Sequence, residues 1–411
     1  MIRNVFTAYK KAYAGLPRNA WLLSLVQFIN RSGSMVLFFL TLYLTRKLGF
    51  TMNQAGQAVS TFGLGALAGA YLGGRLCDWL GANRVQQLSL LLSGLNLILM
   101  GFMTSHGAVL LSAFLLGVFG EALLPANATA MAQECPALIR TKGFALNRLA
   151  ANLGVTIGPV LGGYLALWNY RALFWVDGLT SLAALFIFIL SFKPALKAPL
   201  PNPEAPPVET VSGQKHHLWI IFLLVFGIGL IFSQLFSTFP LYIHSAFGFA
   251  EDRIGQLLAI NTIIIVVFEM VLLQSLKNIR PLKVISAGAL LTGLGFALTP
   301  LGRGFFYAAL TVAVWTTGEM LSMPLLTSEI SNRSSDQNRG RHMGLLGVSF
   351  SLAFMTGPLA GAKIYTLFSP RALWFSCGGL GVLLALGFRR LGSKITSTPG
   401  AASGARSEAL F

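Results

Sequence analysis

Residues 154–163 read Gly154-Val155-Thr156-Ile157-Gly158-Pro159-Val160-Leu161-Gly162-Gly163, and 199 residues later the centre of that stretch returns as Gly357-Pro358 with Gly361. Other pairs keep the same spacing. Leu42-Tyr43-Leu44 reappears as Leu241-Tyr242-Ile243, Gly49-Phe50 as Gly248-Phe249, Gly56 as Gly255 and Arg140 as Arg339, while Glu121 and Glu319 fall one residue off the register. One offset held across half a chain means that two halves share one architecture. Glycines four apart, as at Gly154 and Gly158, leave a flat helix face that another backbone can approach closely. Pro159 is expected to bend the helix that carries it.

Composition says where such helices live. Asp, Glu, Lys and Arg make up 10% of the 411 residues and apolar residues 55%, whereas a soluble domain is about 25% charged. Mean hydropathy is +0.69. A soluble enzyme, a disordered chain and a nucleic-acid-binding domain are thereby excluded. The pI of 10.3 needs no nucleic-acid partner, because charge is driven out of the bilayer and into loops. A crossing needs about 20 apolar residues. Runs of that kind occur at 21–45, 53–74, 84–104, 107–131, 146–167, 173–192, 218–243, 254–275, 281–301, 305–328, 344–366 and 371–388. The first follows Arg3, Lys10, Lys11 and Arg18 and is too long for a signal-peptide core.

The expected fold is therefore all-α and integral to the membrane, with twelve transmembrane helices in two pseudo-symmetric six-helix bundles. Residues 1–192 form the first bundle, 193–217 a solvated cytoplasmic linker containing Pro201, Pro203, Pro206 and Pro207, 218–390 the second bundle, and 391–411 a cytoplasmic tail. With both termini inside, 22 basic residues fall on cytoplasmic segments and 7 on the opposite ends, the bias that sets orientation. A bacterial cytoplasmic (inner) membrane is the expected location. Cys77, Cys135 and Cys377 are too few and scattered for a disulfide framework or a metal site, and no Gly-rich phosphate loop with Lys and Ser/Thr occurs. Neither a metal nor another cofactor is expected.

The turn after the second run reads Gly74-Arg75-Leu76-Cys77-Asp78-Trp79-Leu80-Gly81-Ala82-Asn83-Arg84. It resembles the Gly-x-Leu-x-Asp-x-x-Gly loop between spans two and three of the major facilitator superfamily. Gly74, Leu76, Asp78, Gly81 and Arg84 match, and Ala82 and Asn83 stand where basic residues are usual. The resemblance implies a conformational latch in which Asp78 receives amide donors or an arginine in one state and loses them in the other. A plain polar turn is the alternative. The equivalent position of the second half is Lys277, so a second latch is not expected. The stretch Gly154, Gly158, Pro159, Gly162, Gly163 is similar to the span-five motif of that superfamily's drug:proton antiporters. The fourth span resembles theirs as well, except that Ala113 stands where they carry an arginine two turns before Glu121. An arginine occurs instead at Arg31, on one helical face with Gln27 and Asn30. That first span is loosely similar to the one in proton-coupled peptide transporters, without their upstream glutamates.

Four ionisable residues lie well inside spans: Arg31, Glu121, Glu269 and Glu319. Each must face a cavity, find a partner or be neutral. Spans one, four, seven and ten line the superfamily's cavity, so the resemblance implies that Arg31, Glu121 and Glu319 converge there. Arg31 and Glu121 are expected to pair, either structurally or around a substrate. Glu319 has Leu230 where the offset would place a matching arginine. An acid without a counter-charge can bind and release a proton as the cavity opens to one side or the other, or attract a cationic substrate. Glu269 is the second candidate, unless Lys277 or helix-end groups satisfy it. Asp177, after Arg171, reads as half of an interfacial pair. Gln27, Asn30, Gln234, Phe236, Asn261, Trp315, Thr316 and Thr317 are expected on the cavity wall, a mixture suited to an amphipathic ligand.

These residues point to a secondary transporter, working as a monomer by alternating access around a midplane site. Proton-coupled export of amphipathic or cationic small molecules is the leading expectation, with the proton gradient as energy source. A proton-coupled importer of peptides or other metabolites is the alternative, in which Arg31 binds a substrate carboxylate. A membrane-embedded lipid-acting enzyme would need a His/Asp/Glu constellation that the sequence lacks.

Overall fold

The computed structural model describes residues 15–192, 212–276, 278–333 and 339–397; most of the linker and tail, and Lys277, lie outside the described residues. Every described element is a helix. Span 1 is two segments, Arg18–Gly33 and Val36–Arg46; span 2 is Met52–Leu80, span 3 Ala82–Met100, span 4 His106–Glu121 with Leu123–Glu134, span 5 Ala137–Trp168 and span 6 Tyr170–Ser191. Span 7 is again split, Ser212–Ser233 and Thr238–Phe247, followed by span 8 Glu251–Ser275, span 9 Pro281–Leu298, span 10 Phe305–Asn332, span 11 Arg339–Leu367 and span 12 Pro370–Ser397.

Among the described residues, 9 helices are long and apolar enough by composition alone to cross a membrane. Spans 2, 3 and 8 bring the number to the twelve expected. Spans 2 and 3 are less apolar because their small and polar residues meet other helices rather than lipid. Gln86, Ser89, Ser93 and Asn96 are all buried, and Asn96 exchanges two hydrogen bonds with Ser112 of span 4, at 2.9 and 3.0 Å. Gly65, Gly69 and Gly73 of span 2 lie against the span 4 backbone at Phe114, Val118 and Ala122. In a bilayer this close approach, rather than a hydrophobic drive between helices, holds neighbours together.

The sequence repeat has a backbone cause. Gly49 and Gly248, one offset apart, have φ of 68° and 71°, a left-handed conformation that side chains disfavour. They turn the chain from span 1 into span 2 and from span 7 into span 8. Gly81, in the turn that resembles the superfamily loop, has φ of 82° for the same reason.

The halves meet at the end carrying Arg46 and Arg253, the outer end in the orientation set by the basic residues. There Gly56 and Gly63 of span 2 abut Pro358 and Phe354 of span 11, and Gly163 of span 5 abuts Glu251 of span 8. Glu251 accepts a hydrogen bond from the Tyr170 hydroxyl and pairs with Arg46 at 3.5 Å. An ion pair with one exposed partner contributes only about 0–1 kcal/mol, so the packed glycines and the buried tyrosine–carboxylate bond carry most of this closure. At the inner end spans 2 and 11 part: a side chain added at Gly74, Gly344 or Gly347 would meet nothing within 4 Å. The structure is closed at the end carrying Arg46 and spread at the end carrying Gly74.

Two glycine substitutions separate packing within a half from packing between halves. Gly69→Leu drives a side chain into the span 4 backbone, and overpacking of this kind costs about 1–3 kcal/mol or more. It should lower the Tm of the purified protein. Gly63→Leu meets only the other half and should leave Tm close to that of the parent while abolishing transport, read by thermal unfolding and vesicle assays together.

Candidate functional site

The site begins where spans 1 and 7 break. Helix stops at Gly33 and resumes at Val36, with Ser34 at φ −67°, ψ 73°. One offset later it stops at Ser233, passes through a 3-10 turn at Gln234–Phe236 and resumes at Thr238. A break leaves backbone N–H groups that lipid cannot satisfy. In span 1 the Met35 and Val36 amides both donate to Asp177 Oδ2 of span 6, at 3.3 Å each. At the span 7 break a neutral side chain bonds instead to a carbonyl of span 11 and to a hydroxyl: Gln234 Nε2 donates to the Gly357 carbonyl at 2.9 Å, and Thr238 Oγ1 donates to Gln234 Oε1 at 2.8 Å.

The repeated Gly-Pro-x-x-Gly is the complement of these breaks. Gly154 packs on Arg31 and Phe28, Gly158 on the Ser34 carbonyl and Gly162 on Met35 and Phe39. In the other half Gly357 packs on Ser233 and Gly361 on Gln234. The span 5 helix runs uninterrupted through Pro159. Gly163 faces the other half instead, at Glu251.

Between the halves lies a cavity of about 380 Å³ with two unlike walls. The N-terminal half supplies the polar side chains of Asn30, Arg31, Ser34, Ser93, Glu121, Asp177 and Ser181 together with apolar ones that include Phe38, Phe62, Leu97 and Leu116; the C-terminal half supplies Phe236, Phe350, Ser351 and Phe354. Phe38, from the outer segment of span 1, and Phe236, from the 3-10 turn at the span 7 break, meet at 4.6 Å, and Phe236 contacts Phe354 at 5.3 Å. Asn30 Nδ2 donates to Ser181 Oγ at 3.1 Å, tying span 1 to span 6 one turn below the break.

Several expectations need correction. Arg31 and Glu121 share the cavity, but among the described residues they form no ion pair within 4.0 Å; the salt bridges there are Arg46–Glu251, Arg148–Glu269 and Arg333–Glu329. Asp177 is buried and serves span 1, while Arg171 is exposed. Glu319 does not join Arg31 and Glu121. It faces span 8, where Asn261 Nδ2 donates to its Oε2 at 2.9 Å. The one-residue slip between Glu121 and Glu319 accounts for this, since one residue turns a helix by about 100°. Glu269 is held by Arg148 of span 5, at 2.6 Å across the seam between the halves; Lys277, the partner expected for it, lies outside the described residues. Glu269 and Arg148 both lie near enough to act on Glu319 electrostatically.

Other predicted wall residues turn out to be structural. Trp315 is fully buried in a stack in which Phe296 lies between it and Trp374, at 5.5 and 5.9 Å. Thr316 accepts from Asn261 at 3.1 Å, and Thr317 donates to the Ala313 carbonyl. Gln27 and Gln234 are buried away from the cavity lining. At the inner turn Asp78 and Arg84 are both exposed and belong to no ion pair among the described residues. Sequence reasoning passed over Glu251, Phe350 and Phe354 entirely. An acid opening an apolar run, directly after a Gly-Phe turn, was the available sign for Glu251.

Comparison with known proteins agrees with this architecture. A Bacillus subtilis protein described as an uncharacterized MFS-type transporter, YqjV, is 25% identical over 345 residues, 82% of this chain and 83% of that one. Multidrug resistance protein 2 of the same organism is 26% identical over 324 residues, 77% of this chain and 80% of that one. A crystal structure of a POT family transporter in complex with 5-aminolevulinic acid superposes with a TM-score of 0.80, at 16% identity, over 93% of this chain and 98% of that one. At that identity the likeness shows the fold. Residues 21–335 match the model of the Major Facilitator Superfamily, and this chain belongs to that family of membrane transporters.

Proposed function

We propose that the protein exports amphipathic or cationic small molecules in exchange for protons, by alternating access in a bacterial cytoplasmic membrane with both termini inside. The observation that carries this reading is the two-walled cavity. A ligand with one charged end and one aromatic or aliphatic body would find Glu121 and Asp177 on one side and Phe236, Phe350 and Phe354 on the other. The wall holds two acids and one base, which favours a cationic head group. Similarity to multidrug resistance proteins supports the same substrate class. One chain contains the whole cavity, so a monomer suffices.

Proton coupling is assigned to Glu319, with Glu269 as its neighbour. Glu319 is half-buried within the C-terminal half, has Asn261 as its hydrogen-bond partner and has no cation within 4.0 Å among the described residues. Arg148 ties Glu269 to the other half. Protonation changes at this pair would therefore be felt at the seam that must part and reform in each cycle. Asp78 and Arg84 are the candidate latch of the opposite state.

Import of a substrate carrying a carboxylate is the second reading, favoured by Arg31 on the cavity wall without an ion-pair partner among the described residues. The direction of the pH gradient separates the two. In inside-out vesicles energised to an acidic lumen, a lipophilic cation such as tetraphenylphosphonium should accumulate under the export reading. Accumulation of peptides in right-side-out vesicles acidified outside, with no response to the cation, would replace it with the import reading.

Glu319→Gln should abolish gradient-driven transport while leaving expression and Tm close to the parent. Undiminished pH-dependent transport would remove Glu319 from the mechanism. Because Arg31 and Glu121 do not pair, Glu121→Ala should fail to rescue Arg31→Ala in the same vesicle assay. Recovery to near-parental rates in the double variant would restore the ion-pair reading.

A further inference from the structure

The outer segment of span 1, Val36–Arg46, is one of the parts of the N-terminal half that close the cavity, beside spans 2 and 5. Its base bears Phe38 on Phe236, and its far end brings Arg46 to Glu251. Only Ser34 and Met35 join it to the inner segment. What fixes its base is Asp177, whose Oδ2 accepts from the Val36 amide and shares the Met35 amide with the Gly33 carbonyl, and Asp177 is 6% exposed yet on the cavity wall. Gly33 presses on Thr180 one turn further along span 6, so close that a Cβ there would overlap the threonine hydroxyl. The helix break and its holder form one tight joint.

Charge makes this joint different from its counterpart. The N-terminus of a helix carries a positive partial charge, and a carboxylate acceptor binds N–H groups about twice as strongly as a neutral one. At the span 7 break the uncharged Gln234 instead donates to the Gly357 carbonyl of span 11. Around Asp177 the charged groups on the cavity are Arg31 from the inner segment of span 1 and Glu121 from span 4. Spans 3 and 5 present only Ser93, Leu97 and Val155 there, and the outer segment presents Val36, Leu37 and Phe38.

We propose that Asp177 is an ionic clamp on the outer gate: its negative charge holds the outer segment of span 1 against span 7, and a cationic head group entering the cavity draws that charge away and frees the segment to swing outward. The second clause rests on the export reading; the first does not. Under this scheme the ligand opens the far door by taking the carboxylate that kept it shut. Asp177 is thus a positioning residue for the gate as well as a part of the binding wall.

The test reads the gate directly. Spin labels at Lys47→Cys and Ser245→Cys, both exposed at the outer ends of spans 1 and 7, report the gap by pulsed electron resonance in nanodiscs; the native cysteines are buried. Without ligand the parent should give one short distance. Asp177→Asn keeps an acceptor oxygen and removes the charge. It should raise the open-to-closed ratio about tenfold, the difference between charge-assisted and neutral hydrogen bonds, and Asp177→Glu should largely restore the short distance. An Asp177→Asn distribution identical to the parent overturns the clamp. Should Asp177→Asn fail to give monodisperse protein, Gly33→Ala, which lifts span 1 off span 6, should give the same shift, and its absence overturns the clamp equally. Saturating tetraphenylphosphonium should open the parent but add nothing to Asp177→Asn. A shift in Asp177→Asn with no response of the parent to the cation keeps the clamp and overturns the cation as its trigger.

Discussion

A helix broken in the middle of a bilayer leaves backbone donors with no water to meet them, and the rest of this protein is arranged around satisfying them. Where span 1 breaks, Asp177 accepts from the Val36 amide and shares the Met35 amide with Gly33; where span 7 breaks, Gln234 ties the turn to the Gly357 carbonyl of span 11 and accepts from Thr238. Each break gives a short outer segment its own direction, and Phe38 of the first segment meets Phe236 of the span 7 turn to roof the cavity. The break also places the charged wall, because Arg31 sits in the last turn before it. Remove the breaks and the cavity has neither its roof nor its ionic side.

The glycine repeat was legible in the sequence for a physical reason. A backbone that must approach another backbone tolerates no side chain, and that demand is written locally, in Gly158 and Gly162 and again in Gly357 and Gly361. The pair Gly49 and Gly248 was legible as a repeat for a different reason, a left-handed turn that side chains disfavour. What the glycines face was not. Ser34 can sit in an unbroken helix, and nothing near it announces a break; the decision is made by Asp177, more than 140 residues away. Asp177 itself was misread because Arg171 lies close in sequence, although on the helix that arginine ends up exposed.

Glu319 shows a different limit. The expectation that it would meet Arg31 and Glu121 came from the span it occupies, whereas the face it occupies depends on the register. The sequence held the correction, since Glu121 and Glu319 miss the common offset by one residue, and one residue is more than a quarter of a helical turn. Trp315 was misplaced for the complementary reason. An aromatic residue in a cavity-lining span can as well face its own bundle, and here Phe296 and Trp374 complete its stack.

The separation of charges constrains how coupling can work. If one acid served both proton and ligand, exchange would need only competition at that acid. Here Arg31, Glu121 and Asp177 belong to the ligand cavity, while Glu319 and Glu269 lie in the other half and reach the first half only through Arg148. Direct competition at Glu319 is therefore not the coupling step that the proposed exchange would use in this conformation. The proposed exchange of proton for ligand would instead pass through the geometry of the two halves. Arg148–Glu269 spans the seam on one side, and in the proposed clamp the hinge of span 1 with Asp177 holds the closure on the other. The two devices would then act on the same rigid-body motion from different places, so that a change of charge at either one alters which end of the cavity is open.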